Sequence, residues 1–127
     1  MQAYLKGETP YLRGTLGMIA MSAELLSRDP RTKPVVIYQH TWSNGGDCLV
    51  VKPGLNTTVD LKGKTVALQA YGPHIDYLAT LLKDSGLNMS DVKIKWVKDL
   101  TGTPNSPAEA FYDASVDAAM MIIPDGL

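Results

Sequence analysis

The second half of the chain alternates between short apolar runs and segments with the spacing of a helix. An apolar run at 65–69, an alternating segment at 92–97 and an apolar run at 118–123 predict three strands. Between the first two, apolar side chains recur every three or four residues, at Ile75, Leu78, Leu81 and Leu82, which predicts a helix. The order strand, helix, strand, helix, strand predicts a parallel sheet with helical crossovers.

Proline and glycine mark the limits of these elements. Pro73 is placed to be the first helical residue and Gly86 to follow the helix end. The sequence Ser-Pro-Ala-Glu at 106–109 is typical of a capping box, and predicts a second helix to about Ala114. Within 92–97, alternation places Trp96 on the buried face and predicts that it is a core residue.

The first half reads less regularly. Residues 18–28 predict a helix, which Asp29 and Pro30 end. Residues 34–40 predict a strand buried on both faces, because Val35, Val36, Ile37 and Tyr38 follow one another without alternation. Residues 47–52 predict a further strand. Two α/β halves joined through this last strand are the simplest architecture.

Composition excludes several classes of protein. The chain has 127 residues, 45% of them hydrophobic, and a net charge of −1, so it can bury a core but offers no basic surface for nucleic acid. No apolar stretch reaches the ~18 residues of a membrane span. The single cysteine, Cys48, lies in an apolar run and is interpreted as a structural thiol. No metal-binding or cofactor motif is present in the sequence, so neither group is expected.

Polar residues follow the predicted strands, where open parallel sheets bind their ligands. The densest set is 69–74, in which Gly72 permits close approach and the helix start offers free N–H groups. A carboxylate, a sulfonate or a ring acceptor would be favoured there. The alternative is that Tyr71 packs against the protein and His74 is a solvated residue of the first helical turn.

Other candidates also have two interpretations. Trp42, in a glycine-rich loop, could stack on a ligand or pack between lobes. Asp99 and Asp125 could together bind a ligand amine, or each could organise a turn. The sequence contains no nucleophile elbow, zinc-protease motif or phosphate loop, so a binding protein is favoured over an enzyme.

Several short motifs carry a resemblance to a known family. They are residues 45–51 (GGDCLVV), 60–67 (DLKGKTVA), 85–92 (SGLNMSDV), 106–110 (SPAEA) and 116–119 (VDAA). In this order and spacing the chain resembles the solute-binding proteins of ABC importers. The most similar subgroup handles nitrate, sulfonates, taurine and pyrimidine precursors of thiamine.

The resemblance implies a periplasmic-binding-protein-like α/β fold with a parallel three-layer sheet. It assigns residues 1–46 to part of lobe one, 47–54 to the segment that crosses between lobes, and 55–127 to lobe two. It implies a small-molecule ligand, delivery to a membrane permease, and a periplasmic or lipoprotein-anchored location. Carried over by position, the ligand-binding residues are Thr15, Gln39, Trp42, Tyr71, His74 and Asp99.

Family members are longer, so the chain, in which no signal peptide is expected, is either a natural small relative or a fragment. Such a piece would keep an uncovered sheet edge, which predicts a homodimer, with exchange of an element between chains as one route. The alternatives are an effector-sensing domain of a regulator, a pyrimidine-precursor-related enzyme, and an inactive truncated protein.

Overall fold

The computed structural model describes residues 1–42 and 44–126. The chain divides into two compact units, Met1–Trp42 and Ser43–Leu127. The boundary between the units therefore lies shortly before the segment predicted to cross between lobes. None of the described helices is both long enough and apolar enough to cross a membrane.

The first unit contains three short helices, α1 (Gln2–Leu5), α2 (Leu16–Met21) and α3 (Ala23–Leu26). The helix predicted over 18–28 is therefore present, but it begins earlier and is divided at Ser22. The turn after α3 is held by Thr32, whose hydroxyl donates to the carbonyl of the fully buried Leu26 at 2.9 Å.

The prediction of a buried strand at 34–40 is wrong. These residues have no regular structure, and the side chains of the apolar run are exposed. A β-strand requires a neighbouring strand, with which its backbone N–H and C=O groups form hydrogen bonds. None of the described residues pairs its backbone with this segment, so high β-propensity alone does not make it a strand.

The second unit is built on one sheet of four strands. They are β1 (Asp47–Val51), β2 (Thr65–Gln69), β3 (Lys93–Val97) and β4 (Ala118–Ile122), in the spatial order β1-β4-β2-β3. Strand β2 runs parallel to both β3 and β4. The predicted parallel arrangement of these three strands is confirmed.

Strand β1 corrects the expectation of a wholly parallel sheet, because it pairs antiparallel with β4. Val51 lies opposite Ala118, so β1 ends at the edge of the sheet where β2 and β4 begin. The link from β1 to β2 contains only a 3₁₀ turn at Thr58–Leu61. Without a crossover helix, the chain can only turn back at the same edge.

Two helices cover the two faces of the sheet and complete the predicted three layers. Helix α4 (His74–Asp84) packs on one face, and α5 (Pro107–Phe111) on the other. Alternate residues of the central strands supply the two cores. One core includes Val66, Leu68, Ala118 and Met120, and the other includes Ala67, Ala119 and Met121.

The residues that flank α4 lie close to their predicted positions. Pro73 precedes the helix by one residue, and Gly86 follows its end with a φ of 75°. The N–H of Leu87 donates to the carbonyl of Leu82 at 2.8 Å, which closes the helix in a Schellman-type turn. Helix α5 is capped by Ser106 as predicted.

Helix α5 ends at Phe111, before the predicted Ala114. The Asp113 carboxylate accepts hydrogen bonds from the N–H and hydroxyl of Ser115, both at 2.9 Å. This local turn competes with continuation of the helix. A final short helix, α6 (Ile123–Gly126), follows β4.

The prediction that Trp96 is a core residue is also wrong, since its side chain is 54% exposed. On the same strand Val92 is buried and Ile94 packs against the core. Among the described strands, β3 has a neighbour on one side only. Alternation therefore identifies which face of β3 points towards the core. It does not show whether other elements cover every residue on that face of an edge strand.

Candidate functional site

The carboxyl ends of β2, β3 and β4 meet at one edge of the sheet, because the three strands are parallel. Strand β1 adds its first residue, since Asp47 lies opposite Ile122 at the end of β4. The connections 70–73, 98–106 and 123–126 therefore gather at this carboxyl edge. It is the edge at which α/β sheets bind their ligands.

The connection after β2 has an unusual backbone. Tyr71 has a backbone φ of 56°, which residues other than glycine rarely adopt. The residue is 83% exposed. A Cβ added to Gly72 would lie 2.9 Å from Cβ of Gln69, so only glycine fits without a shift of the chain. The amide of Gln69 donates to the carbonyl of Lys98 at 3.3 Å. The connection is thus tight, and it presents one aromatic ring to solvent.

His74 begins α4 and is buried, with 1% of its side chain exposed. Its Nε2 lies 2.7 Å from Oδ1 of Asp47. His74 is therefore not a solvated residue of the first turn, which was the alternative interpretation. Whether it contacts a ligand stays a prediction.

Asp99 lies half-buried in the loop after β3. Its carboxylate accepts a hydrogen bond from the hydroxyl of Thr103 at 2.8 Å, and its N–H donates to the carbonyl of Asn105 at 3.0 Å. These bonds give Asp99 a turn-organising role. The carboxylate keeps further acceptor capacity, so a ligand-binding role stays a prediction.

An open concavity of about 440 Å³ lies beside α5 at the same edge. Two carboxylates, those of Glu109 and Asp125, line it without a basic side chain. The other lining residues are Gly102, Thr103, Pro104, Ser106, Ala108 and Tyr112. The concavity is thus acidic, and Tyr71 and His74 do not line it.

Three predicted ligand-binding residues belong to the first unit. Thr15 is the N-cap of α2, and its hydroxyl oxygen accepts a hydrogen bond from the N–H of Met18 at 3.2 Å. Gln39 is exposed, and Trp42 is 80% exposed. Their roles in ligand binding stay predictions.

Cys48 is half-buried in β1, and its thiol donates to the carbonyl of Met121 at 3.4 Å. Burial raises the pKa of this thiol, and the negative charges of Asp47 and Asp125 raise it further. These features agree with a structural thiol. Among the described residues no group of three potential ligands could hold a metal ion.

The sequence analysis missed the partner of His74. Asp47 was interpreted only as the start of a strand, and it lies 27 positions before the histidine. An acidic residue directly after two glycines and before an apolar strand was the available signal. It could not reveal the pairing, which depends on β1 lying antiparallel beside β4.

Comparison with known proteins adds evidence at the level of structure. No protein-family model and no curated protein matches the chain. Among solved structures, the chain is similar to the alkanesulfonate-binding protein SsuA from Xanthomonas axonopodis pv. citri bound to MOPS. The identity is 32% with a TM-score of 0.53, over 63% of this chain and 27% of that protein.

Two further structures have the same fold. The periplasmic sulfonate-binding protein SsuA of an ABC transporter from Methylobacillus flagellatus KT is 25% identical, with a TM-score of 0.62, over 98% of this chain and 35% of its own. The periplasmic aliphatic sulphonate binding protein SsuA from Escherichia coli is 24% identical, with a TM-score of 0.57, over 67% of this chain and 27% of its own.

The chain thus spans between about a quarter and about a third of the length of these proteins. All three are binding proteins, and two are described as periplasmic. The resemblance that the sequence motifs predicted is confirmed: the chain has the fold of a part of a periplasmic solute-binding protein of ABC transporters.

Proposed function

We propose that the chain is a small-molecule-binding part of an ABC-type solute-binding protein, and that its ligand carries a sulfonate group. The observation that carries the proposal is the carboxyl edge of the sheet, where the connection 70–73 leads directly into α4. The solved structures that resemble the chain bind sulfonates, which supports this ligand class.

Within this edge, the start of α4 suits an anion, whereas the concavity beside α5 is lined by carboxylates. The first N–H groups of a helix have no partner within the helix, and the helix dipole places partial positive charge there. No side chain caps the start of α4. A sulfonate presents three acceptor oxygens to such donors, and Gly72 permits the tight connection that leads into the helix, since a Cβ there would clash with Gln69.

The remainder of the ligand would lie on Tyr71, whose ring is exposed beside these donors. An aromatic face supplies apolar contact to an alkyl chain and attracts a cationic group. Where the ligand carries an ammonium group as well, Asp99 or Asp125 would supply the opposite charge. Thr15, Gln39 and Trp42, which belong to the first unit, are further ligand-binding candidates from the sequence.

The proposed role is binding and delivery, without catalysis. The partner would be a membrane permease, as the resemblance to binding proteins of ABC importers implies. The location would be periplasmic, as described for two of the similar proteins. An enzyme related to pyrimidine precursors would instead show a change in absorbance on incubation with pyridoxal phosphate. An effector-sensing regulator would share the ligand and lack the permease.

Calorimetric titration with ethanesulfonate tests the proposal, with the neutral ethanesulfonamide as matched control. The sulfonate should bind, and the sulfonamide should bind much more weakly because it lacks the charge. Tyr71→Ala and Trp42→Ala should each weaken binding by about 1–3 kcal/mol if each ring is a buried anchor in the complex.

Tyr11→Ala is the control for removal of an exposed tyrosine ring, and it should leave the affinity unchanged. Equal affinity for the sulfonate and the sulfonamide would contradict anion recognition. Unchanged affinity in both the Tyr71 and the Trp42 variant would move the site elsewhere.

A further inference from the structure

A buried polar contact joins the two elements that begin at the carboxyl edge. His74 is the first residue of α4 and Asp47 the first residue of β1. Their side chains meet at 2.7 Å between Nε2 and Oδ1. The imidazole is almost wholly buried, whereas Asp47 keeps some contact with solvent.

The partner fixes which ring nitrogen carries the proton. An ionised carboxylate can only accept hydrogen bonds, so Nε2 must be the donor. In the neutral ring Nδ1 then carries the lone pair. Nδ1 is buried, and no described residue donates to it, so Asp47 alone among these residues orients the imidazole through a hydrogen bond.

The start of α4 has few other restraints. The residue before it, Pro73, provides no side-chain cap. The fully buried apolar side chains of the helix come further along, at Leu78 and Leu82, while in the first turn the partly buried Ile75 packs against the same core. In the first turn, the contact between His74 and Asp47 of β1 therefore adds a directional restraint to the packing of Ile75.

Strand β1 is a firm support for this contact. Its five residues pair with β4 from Asp47 to Val51, and the N–H of Ile123 continues the pairing to the carbonyl of Gly46 at 2.9 Å. The pairing of β1 with β4 therefore fixes the backbone at Asp47. Because its backbone is fixed, the Asp47 carboxylate can hold the imidazole in one orientation through the hydrogen bond.

We infer that Asp47 and His74 form a positioning pair, which fixes the first turn of α4 so that its N–H groups face the ligand. The inference rests on the proposed function for the identity of the ligand. In this arrangement His74, which the sequence predicts to bind the ligand directly, acts indirectly by orienting α4. Asp47 is its hydrogen-bond partner.

Three substitutions separate positioning from packing. His74→Gln keeps an N–H donor near the position of Nε2, His74→Leu removes it, and Asp47→Asn keeps an acceptor without the charge. Asp84→Asn, at the opposite end of α4, is the control for loss of a carboxylate, since Asp84 is exposed.

Amide hydrogen exchange in the ligand-free chain provides the first measurement. His74→Leu should speed exchange in the first turns of α4 by about tenfold or more, since local opening follows local stability. The last turn should exchange at the wild-type rate. His74→Gln should restore most of the protection, and Asp84→Asn should have no effect on the first turns.

Calorimetry with ethanesulfonate provides the second measurement. His74→Leu should weaken binding by about ten- to a hundredfold, as for loss of a hydrogen bond to a charged group, and His74→Gln should recover most of the affinity. Asp47→Asn should fall between them.

The outcomes distinguish the two proposals. Absence of sulfonate binding by the wild-type chain, with the expected exchange pattern intact, would overturn the proposed ligand and leave the pair as a device that orders α4. Exchange in the first turns that is unchanged in His74→Leu would overturn the positioning pair whether or not the ligand binds. Equal loss in the Leu and Gln variants would show that the imidazole only fills space.

Discussion

At the residue scale, the environment of Cys48 makes a chemical prediction. Burial raises the pKa of the thiol, and Asp47 and Asp125 add to the effect. A raised pKa leaves less of the reactive thiolate at a given pH. We expect Ellman's reagent at about pH 8 to label Cys48 several-fold more slowly than a free cysteine.

The rate should rise with pH, and it should reach the free-cysteine value in guanidinium, where the burial is lost. Labelling of the folded chain at the free-cysteine rate would contradict the structural role of this thiol.

Single residues also show what the sequence could and could not predict. The type and place of Gly86 and Ser106 follow from local geometry, so their capping roles were predictable. The exposure of Trp96 and the burial of His74 depend on neighbours distant in sequence. Alternation and helical spacing indicate the type and the apolar face of the element to which a residue belongs. They do not indicate which other elements cover that residue.

At the element scale, the connection between β2 and α4 has a backbone that the sequence did not reveal. Tyr71 adopts a φ of 56° while its ring lies in solvent. Tyr71→Gly should keep the free energy of unfolding within about 1 kcal/mol, because relief of the backbone offsets the greater freedom of glycine in the unfolded chain. Tyr71→Val should lower it by about 1–2 kcal/mol, since a β-branched residue fits this conformation poorly.

Denaturant unfolding of the three proteins measures these differences. A valine variant as stable as the glycine variant would show that the positive φ is not required. The glycine variant should bind ethanesulfonate more weakly despite its stability, which separates the role of the ring from that of the backbone.

The elements also differ in how far pattern determines them. Strands β2 and β4 and helix α4 combine strong local signals with the partners they need, and their prediction is confirmed. Residues 34–40 carry an equally strong strand signal, but no described residue pairs with them. The direction of β1 likewise follows from the short link to β2, and not from its own sequence.

At the scale of the whole molecule, the exposed apolar run at 35–38 favours self-association. Its side chains, Val35, Val36, Ile37 and Tyr38, all lie in solvent, and such runs recruit other chains. We expect a homodimer by light scattering at micromolar concentration, and a shift towards monomer in Val36→Lys. Val59→Lys, at an exposed apolar residue of the second unit, is the matched control. A monomer that persists on concentration would contradict the expected dimer.

Binding of an organosulfonate at the carboxyl edge of the sheet is tested by a titration of ¹⁵N-labelled chain with ethanesulfonate, followed by backbone amide resonances. Saturable shifts should be concentrated at 70–76 and 98–103. Resonances at the opposite edge, where the N–H of Thr65 donates to the Asp117 carboxylate at 2.8 Å, should stay in place. Shifts confined to that opposite edge, or no saturable shift anywhere, would contradict binding at the carboxyl edge.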